Sequence, residues 1–187
     1  TDSDGTSSDT LYLFGNLNNT PLWSYEFEVS ILSLSISSNG EYIALTNTHD
    51  GGRLYLFGSD NNTPIWDYFP IDYVWTLSIS SDGEYIAAGS RNDKVYLFNK
   101  NNSNPLWTRS YGNDIASVSI SADGAYIVVA EKYGKISCLN KENDYMWRSS
   151  ESIGQKGHIA ISSDGRYIIG AGGSSSANGH FFLNNEL

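Results

Sequence analysis

The chain has 187 residues, 40% of them hydrophobic and 13% aromatic, which is enough apolar surface for one ordinary domain and too much for a disordered polymer. Eleven Lys and Arg against 21 Asp and Glu give a net charge of −10, which repels polyphosphate backbones and anionic bilayers, so no nucleic-acid partner is expected. No apolar run approaches the roughly 18 residues needed to cross a bilayer, so this segment is expected not to insert into a membrane, and with Cys138 as the one cysteine no intrachain disulfide can form.

The chain opens on Thr1-Asp-Ser-Asp-Gly-Thr-Ser-Ser-Asp9, which has neither the positive charge nor the apolar run of a signal peptide. It begins without Met and is expected to be a processed or excised piece of a longer parent. Leu11-Tyr-Leu-Phe14 then reads as a strand, followed by an Asn-rich turn and by Pro21-Leu-Trp23 opening another strand. The same order returns at Leu54, Val95 and Ile136, so the starts fall 43, 41 and 41 residues apart. A period of about 40 to 45 residues with several short strands per copy marks a propeller array. The expected organisation is one β-propeller repeat domain over 1–187, with repeats at 11–53, 54–94, 95–135 and 136–180 and the start of a further repeat at 181–187.

The copy from Val74 to Trp107 shows how a repeat folds. Trp75, Leu77 and Ile79 alternate with Thr76, Ser78 and Ser80, the period of two of a strand, here the innermost one. Ser81-Asp82-Gly83 predicts a hairpin, because Gly accepts positive φ and Asp tolerates it. Glu84–Gly89 forms the second strand, Arg91–Lys94 a turn, Val95–Phe98 the third strand and Pro105-Leu-Trp107 the start of a fourth. A Pro suits an outer strand, where its missing donor faces solvent. The hairpin recurs at Asn39-Gly40, Asp123-Gly124 and Asp164-Gly165, which we read as turn chemistry, since a lone carboxylate beside Gly supplies too few oxygens for calcium.

Read in order, the strands run third and fourth, then three full sets of four, then first, second and third, ending near Asn184; that makes 17 strands. The expected fold is therefore all-β, a propeller of four-stranded antiparallel blades with about four blades here, either an arc of a larger propeller or a ring completed by another chain. Trp23, Trp66, Trp107 and Trp147 recur in step with the repeats and are expected to pack between blade faces, with each indole donor satisfied by local backbone. The small inner-strand residues Ser33, Ser35, Thr76, Ser78, Ser117 and Ser119 suit the crowded axis, where His158 and Ala160 replace them in the last copy. Cys138, between Ser137 and Leu139, reads as a small strand residue.

Leu77–Phe98, "LSISSDGEYIAAGSRNDKVYLF", and Val118–Leu139, "VSISADGAYIVVAEKYGKISCL", resemble the WD-repeat core. The resemblance, to WD-repeat and quinoprotein-like propellers of archaeal and bacterial secreted or surface type, extends from Leu11 to Phe182. Phe14, Phe57, Phe98 and Leu139 stand where WD repeats usually carry Trp, and Gly157-His158 is the nearest approach to their Gly-His pair. The outer-strand Trp is similar to quinoprotein-like repeats, but without a calcium-ligand cluster or an adjacent Cys pair it implies no quinone.

Asn18, Asn61 and Asn101 each begin an N-x-[ST] pattern in the loop between third and fourth strands; they are candidate glycosylation sites of an extracellular or cell-surface protein, a cytoplasmic location being the alternative. The opposite rim gathers the loops where propellers usually bind partners. Tyr68, Phe69, Asp72, Tyr73, Trp75, Arg109 and Tyr111 are its candidate binding residues, aromatics with an Arg being enriched at interface hot spots. No Gly-rich phosphate loop, no His pair at metal spacing and no nucleophile beside a base is present, so no catalytic residue, metal or cofactor is expected. A non-enzymatic scaffold for a protein partner or cell-surface interaction leads, with homo-oligomerisation possible; a module for a surface glycan comes next, and a hydrolase or quinoprotein-like enzyme trails.

Overall fold

The computed structural model describes residues 8–48, 52–69, 73–152, 157–172 and 180–183. Within them lie seventeen strands in five antiparallel sheets and no helix. The first sheet holds β1 (Asp9–Phe14) and β2 (Pro21–Phe27); the second β3 (Ile31–Ile36), β4 (Tyr42–Asn47), β5 (Arg53–Gly58) and β6 (Pro64–Tyr68). The third holds β7 (Val74–Ile79), β8 (Tyr85–Ser90), β9 (Lys94–Asn99) and β10 (Asn102–Ser110); the fourth β11 (Ile115–Ile120), β12 (Tyr126–Glu131), β13 (Lys135–Asn140) and β14 (Tyr145–Ser152). The fifth holds β15 (His158–Ile161), β16 (Tyr167–Ala171) and β17 (His180–Leu183). Inside each sheet the strands lie in chain order, and β3, β7, β11 and β15 touch in succession as the inner strands. These are propeller blades, and they do not close into a ring among the described residues. Each covalent repeat starts at a third strand, so it supplies the outer half of one blade and the inner half of the next.

The core is cut into slabs, one between each pair of successive blades. Ala44, Leu54 and Leu56 of the second sheet meet Leu77, Ile86 and Phe98 of the third; Ala87, Val95 and Leu97 of the third meet Ile115, Val118 and Ile127 of the fourth. Alternation supplies both slabs, since successive side chains of one strand leave by opposite faces. Central strands are thus buried on both faces: Ile43, Ala44 and Leu45 in β4, Leu54, Leu56 and Phe57 in β5.

The inner strands break the alternation once. Val74, rather than Trp75, joins Leu77 and Ile79 in the core. The register slips between Val74 and Thr76, and likewise between Ile31 and Ser33 and between Ile115 and Ser117. A bulge places two residues opposite one and so flips the parity of everything before it. The serines on this strand do more than fit a narrow space. The Val118 and Ile120 N–H groups donate to Thr76 Oγ1 and Ser78 Oγ, and Ile161 N–H to Ser119 Oγ, each at 3.3 Å, which stitches neighbouring inner strands together near the axis.

The hairpins follow one design. Ser80 Oγ donates to Asp82 Oδ1 (2.7 Å) and accepts from Tyr85 N–H (3.0 Å), while Asp82 Oδ1 also accepts Glu84 N–H (3.0 Å). Ser37 with Asn39, Ser121 with Asp123 and Ser162 with Asp164 repeat it. Only the glycine takes positive φ, 73° at Gly40, 75° at Gly83, 71° at Gly124 and 74° at Gly165. The Asp is therefore present as an acceptor, and not, as the sequence suggested, for tolerance of the left-handed region. The loop is also longer than a two-residue turn, with Ser80 N–H bonded to Tyr85 O and Gly83 N–H to Ser80 O.

The glycine also makes room for the neighbour. A Cβ on Gly83 would lie 2.3 Å from the Tyr42 ring, on Gly124 2.3 Å from Tyr85 and on Gly165 2.6 Å from Tyr126. Each tyrosine belongs to the preceding blade. The hairpins are joined by backbone as well: Ser81 N–H donates to Ala122 O (2.9 Å) and Ala122 N–H to Ser163 O (3.0 Å). On the outer side the indole N–H of Trp23, Trp66 and Trp107 reaches Ser59 O (3.0 Å), Lys100 O (2.7 Å) and Lys141 O (2.8 Å). The acceptor is the next blade's turn, where the sequence reading expected local backbone.

Two outcomes follow for stability. Gly83→Ala adds left-handed strain to a methyl driven into the Tyr42 ring and is expected to cost about 2 kcal/mol or more in chemical denaturation; a loss below about 0.5 kcal/mol, within ordinary surface-substitution range, would contradict this junction. Burial pushes the Asp123 carboxyl up, but the Ala125 N–H and Ser121 hydroxyl outweigh it and hold the group below its ordinary range. A depressed carboxyl stabilises the fold above the unfolded pKa of about 3.9 and loses that stabilisation as pH falls through the folded value. Asp123→Asn, which copies Asn39, is expected to lose less stability than the unmodified chain between neutral and acid pH; equal losses in parallel denaturation curves would refute it.

Candidate functional site

The strand directions divide the loops between two rims. One rim carries the Ser-Asp-Gly hairpins and the Asn-rich turns, and the other carries the connections from fourth to first and from second to third strands. On the second rim these two connections are bonded to each other in every complete blade. Thr48 N–H donates to Ser30 O (2.9 Å), Arg91 N–H to Tyr73 O (2.9 Å) and Lys132 N–H to Asp114 O (2.7 Å). Buried polar side chains close the second strands just beneath, namely Asn47, Ser90 and Glu131. Ser90 Oγ accepts Asn92 N–H (3.3 Å) and Lys94 N–H (3.2 Å). Glu131, 1% exposed, accepts from Arg148 at 2.5 Å and from Asn113 at 3.4 Å. The three side chains share one position but no chemical type, so periodicity alone does not reveal them.

The candidate rim residues divide into two groups. Tyr68 lies inside the interface between blades, 5.0 Å from the Phe98 ring and 6.0 Å from Tyr96. Trp75 carries the Arg91 guanidinium 4.8 Å above its ring and donates its indole N–H to Ile115 O of the next blade (2.5 Å). Arg109 reaches the β13–β14 turn, where it donates to Asn143 Oδ1 (2.6 Å) and the Asn143 carbonyl and stacks 4.2 Å over Tyr145. Tyr111 packs its ring into the next core slab, and burial pushes its hydroxyl pKa up. These four are occupied with structure.

Phe69 and Tyr73 are exposed, Phe69 with the Arg53 guanidinium 5.5 Å over its ring. Asp72 lies outside the described residues. A further aromatic shares this rim: Tyr133 is exposed in the β12–β13 turn at φ 57°, with Lys132 Nζ 5.6 Å away. A bulky residue in the left-handed region is held there at a cost, here by the Gly134 N–H to Glu131 O bond (3.1 Å) that closes the turn.

On the hairpin rim, Asn18, Asn61 and Asn101 are all exposed. Asn18 Oδ1 accepts Thr20 N–H (3.0 Å) and Asn61 Oδ1 accepts Thr63 N–H (2.8 Å). In the third copy the matching bond runs from Asn104 N–H to Asn102 Oδ1 (2.8 Å), while Asn101 N–H donates to Asn99 (3.0 Å). Asn101 thus sits one residue out of step with the other two.

Among the described residues no group of three or more His, Cys, Asp and Glu side chains is placed to hold a metal ion. Cys138 is buried in β13, and burial pushes its thiol up to about 12, far from the thiolate a nucleophile needs. No helix of the described residues is long and apolar enough to cross a membrane.

Residues 71–99 match the WD domain, G-beta repeat family. The match supports a WD-repeat family. It ends with β9, so it covers the three inner strands of the third sheet and leaves out β10. Phe98 closes the third strand of the matched stretch, with the Trp66 ring of the preceding blade 5.7 Å from it. That indole stands on the neighbour's fourth strand and meets the same slab from the other side. No curated protein matches the chain.

Proposed function

We propose that the chain is a non-enzymatic WD-type scaffold that holds a protein partner on the rim of Phe69, Tyr73 and Tyr133. WD repeats generally act as protein-interaction scaffolds, and one stretch of this chain matches that family. The observation that carries the reading is the exposure of three aromatic rings on one rim, with the Tyr73 carbonyl held by the Arg91 N–H and the Tyr133 turn closed by Gly134 N–H. Aromatic rings bring large contact area at low entropic cost. The Phe69→Ala/Tyr73→Ala variant is expected to lose about tenfold or more in affinity for the protein that the immobilised chain retains, with unchanged thermal unfolding. Undiminished affinity would sink the rim. Retention of glycans on an array, with no protein retained, would turn the reading to a carbohydrate-binding module.

The proposal extends to location. Three exposed sequons on the rim opposite the aromatics leave the binding rim clear of glycans, and we place the protein outside the cell or on its surface. Intact mass of native material is expected to exceed the polypeptide mass of 20.6 kDa by glycan increments, with Asn18 and Asn61 occupied ahead of Asn101; a bare polypeptide mass would dismiss it.

A further inference from the structure

We propose, building on the rim reading above, that Arg91 anchors one carboxylate of the partner, and that the segment bound there presents an Asp or Glu side chain between apolar residues. Arg91 is exposed in the turn from β8 to β9, and two contacts fix it. Its N–H donates to Tyr73 O (2.9 Å), and its guanidinium lies 4.8 Å over the Trp75 ring. That ring is held in turn by its indole N–H on Ile115 O of the next blade. Stacking uses the flat face of the guanidinium and leaves the N–H groups in its plane for other acceptors. No carboxylate of the described residues meets them.

Four other cations of this rim are matched from within. Arg53 pairs with Asp67 (3.2 Å), Lys132 with Asp114 (3.4 Å) and Arg148 with Glu131 (2.5 Å), and Arg109 is taken up by Asn143. The fourth blade shows what the third lacks. Lys132 occupies the place of Arg91, and each donates its backbone N–H to the residue opposite, Lys132 to Asp114 O and Arg91 to Tyr73 O. In the fourth blade that opposite residue supplies the carboxylate as well. In the third it is a tyrosine, so the acid is left for a ligand to bring.

A guanidinium and a carboxylate match in a planar, two-bond fork, and an Arg already fixed on a ring gives up little freedom to form it. The surroundings select the rest of the ligand. A net charge of −10 repels polyanions at long range, so the carboxylate has to arrive on a segment that is otherwise neutral or basic. Tyr73, 46% exposed at the backbone bond to Arg91, and Phe69, 44% exposed on the same connection, offer apolar surface to the residues on either side of it. Trp, Tyr and Arg together are the residue types in which binding energy concentrates.

The test uses the full chain and an array of peptides blocked at both ends. Each peptide carries Lys near its ends and Glu at its centre between two apolar residues, and each has a Gln-centred twin. The unmodified chain is expected to bind Glu-centred peptides about tenfold more tightly than their twins. Arg91→Gln is expected to erase that preference with unchanged thermal unfolding, and Arg91→Glu to move it to Lys-centred peptides. Tyr73→Asp, which copies Asp114, supplies the carboxylate from within and is expected to erase the preference too, whereas Tyr73→Ala weakens both twins and keeps their ratio. Equal binding of the twins overturns the proposal. So does a Glu preference that survives Arg91→Gln or Tyr73→Asp, or a phosphoserine-centred peptide bound ahead of both twins. Failure of the aromatic rim has a different mark: Phe69→Ala/Tyr73→Ala then leaves the affinity of both twins unchanged while the Glu-to-Gln ratio stands.

Discussion

The fold depends on the junction at which a tyrosine ring lies on the glycine of the following hairpin. That contact uses a property of each partner that nothing else in the alphabet supplies together. The glycine must take positive φ to turn the chain and must also lack a Cβ, because the ring comes to within 2.6 Å or less of where that atom would be at Gly83, Gly124 and Gly165. The Ser-Asp network holds the hairpin open at the right shape. Three parallel seams then fix one blade on the next: hydroxyl to N–H at the axis, backbone to backbone at the hairpins, and indole to carbonyl at the outer strands. Each seam is polar and directional, and each flanks a slab of apolar side chains that supplies the bulk of the burial without choosing an angle.

Much of this was legible from the residues, since a period of two inside a period of about 41 exposes strands, their order and their sheets. The outer prolines, the Asp-Gly hairpins and the unequal end blades all follow from position in the repeat. What escaped is of one kind. Pattern reading assumes that one residue advances one step, and the bulge at Trp75 breaks that assumption, so the core begins at Val74. It also treats side chains within a repeat as serving that repeat. The tryptophans, the tyrosines and the inner-strand serines serve the neighbour, and a contact from one copy to the next leaves the same mark in the sequence as a local one. The candidate rim suffered likewise: Tyr68, Trp75, Arg109 and Tyr111 have the composition of a binding surface but are engaged in holding blades together, and Phe69 and Tyr73 are left to face outward.

The distribution of charge fits this division. Lys100 and Lys141 lie over the Tyr42 and Tyr85 rings at the hairpin rim, and Lys100 pairs with Glu84 at 2.6 Å. All eleven Lys and Arg together still leave an excess of ten negative charges. The surface therefore repels other acidic molecules at long range.

The inner-strand bulge has a wider consequence. It takes one residue out of the pairing register in each of the three four-stranded blades, and the residues so released are Leu32, Trp75 and Ala116. A large aliphatic, an indole and a methyl at equivalent places mean that the packed interior tolerates any of them. Leu32 is exposed there while Trp75 carries Arg91 and bonds the next blade at Ile115, so the same backbone step serves solvent in one blade and the junction in another.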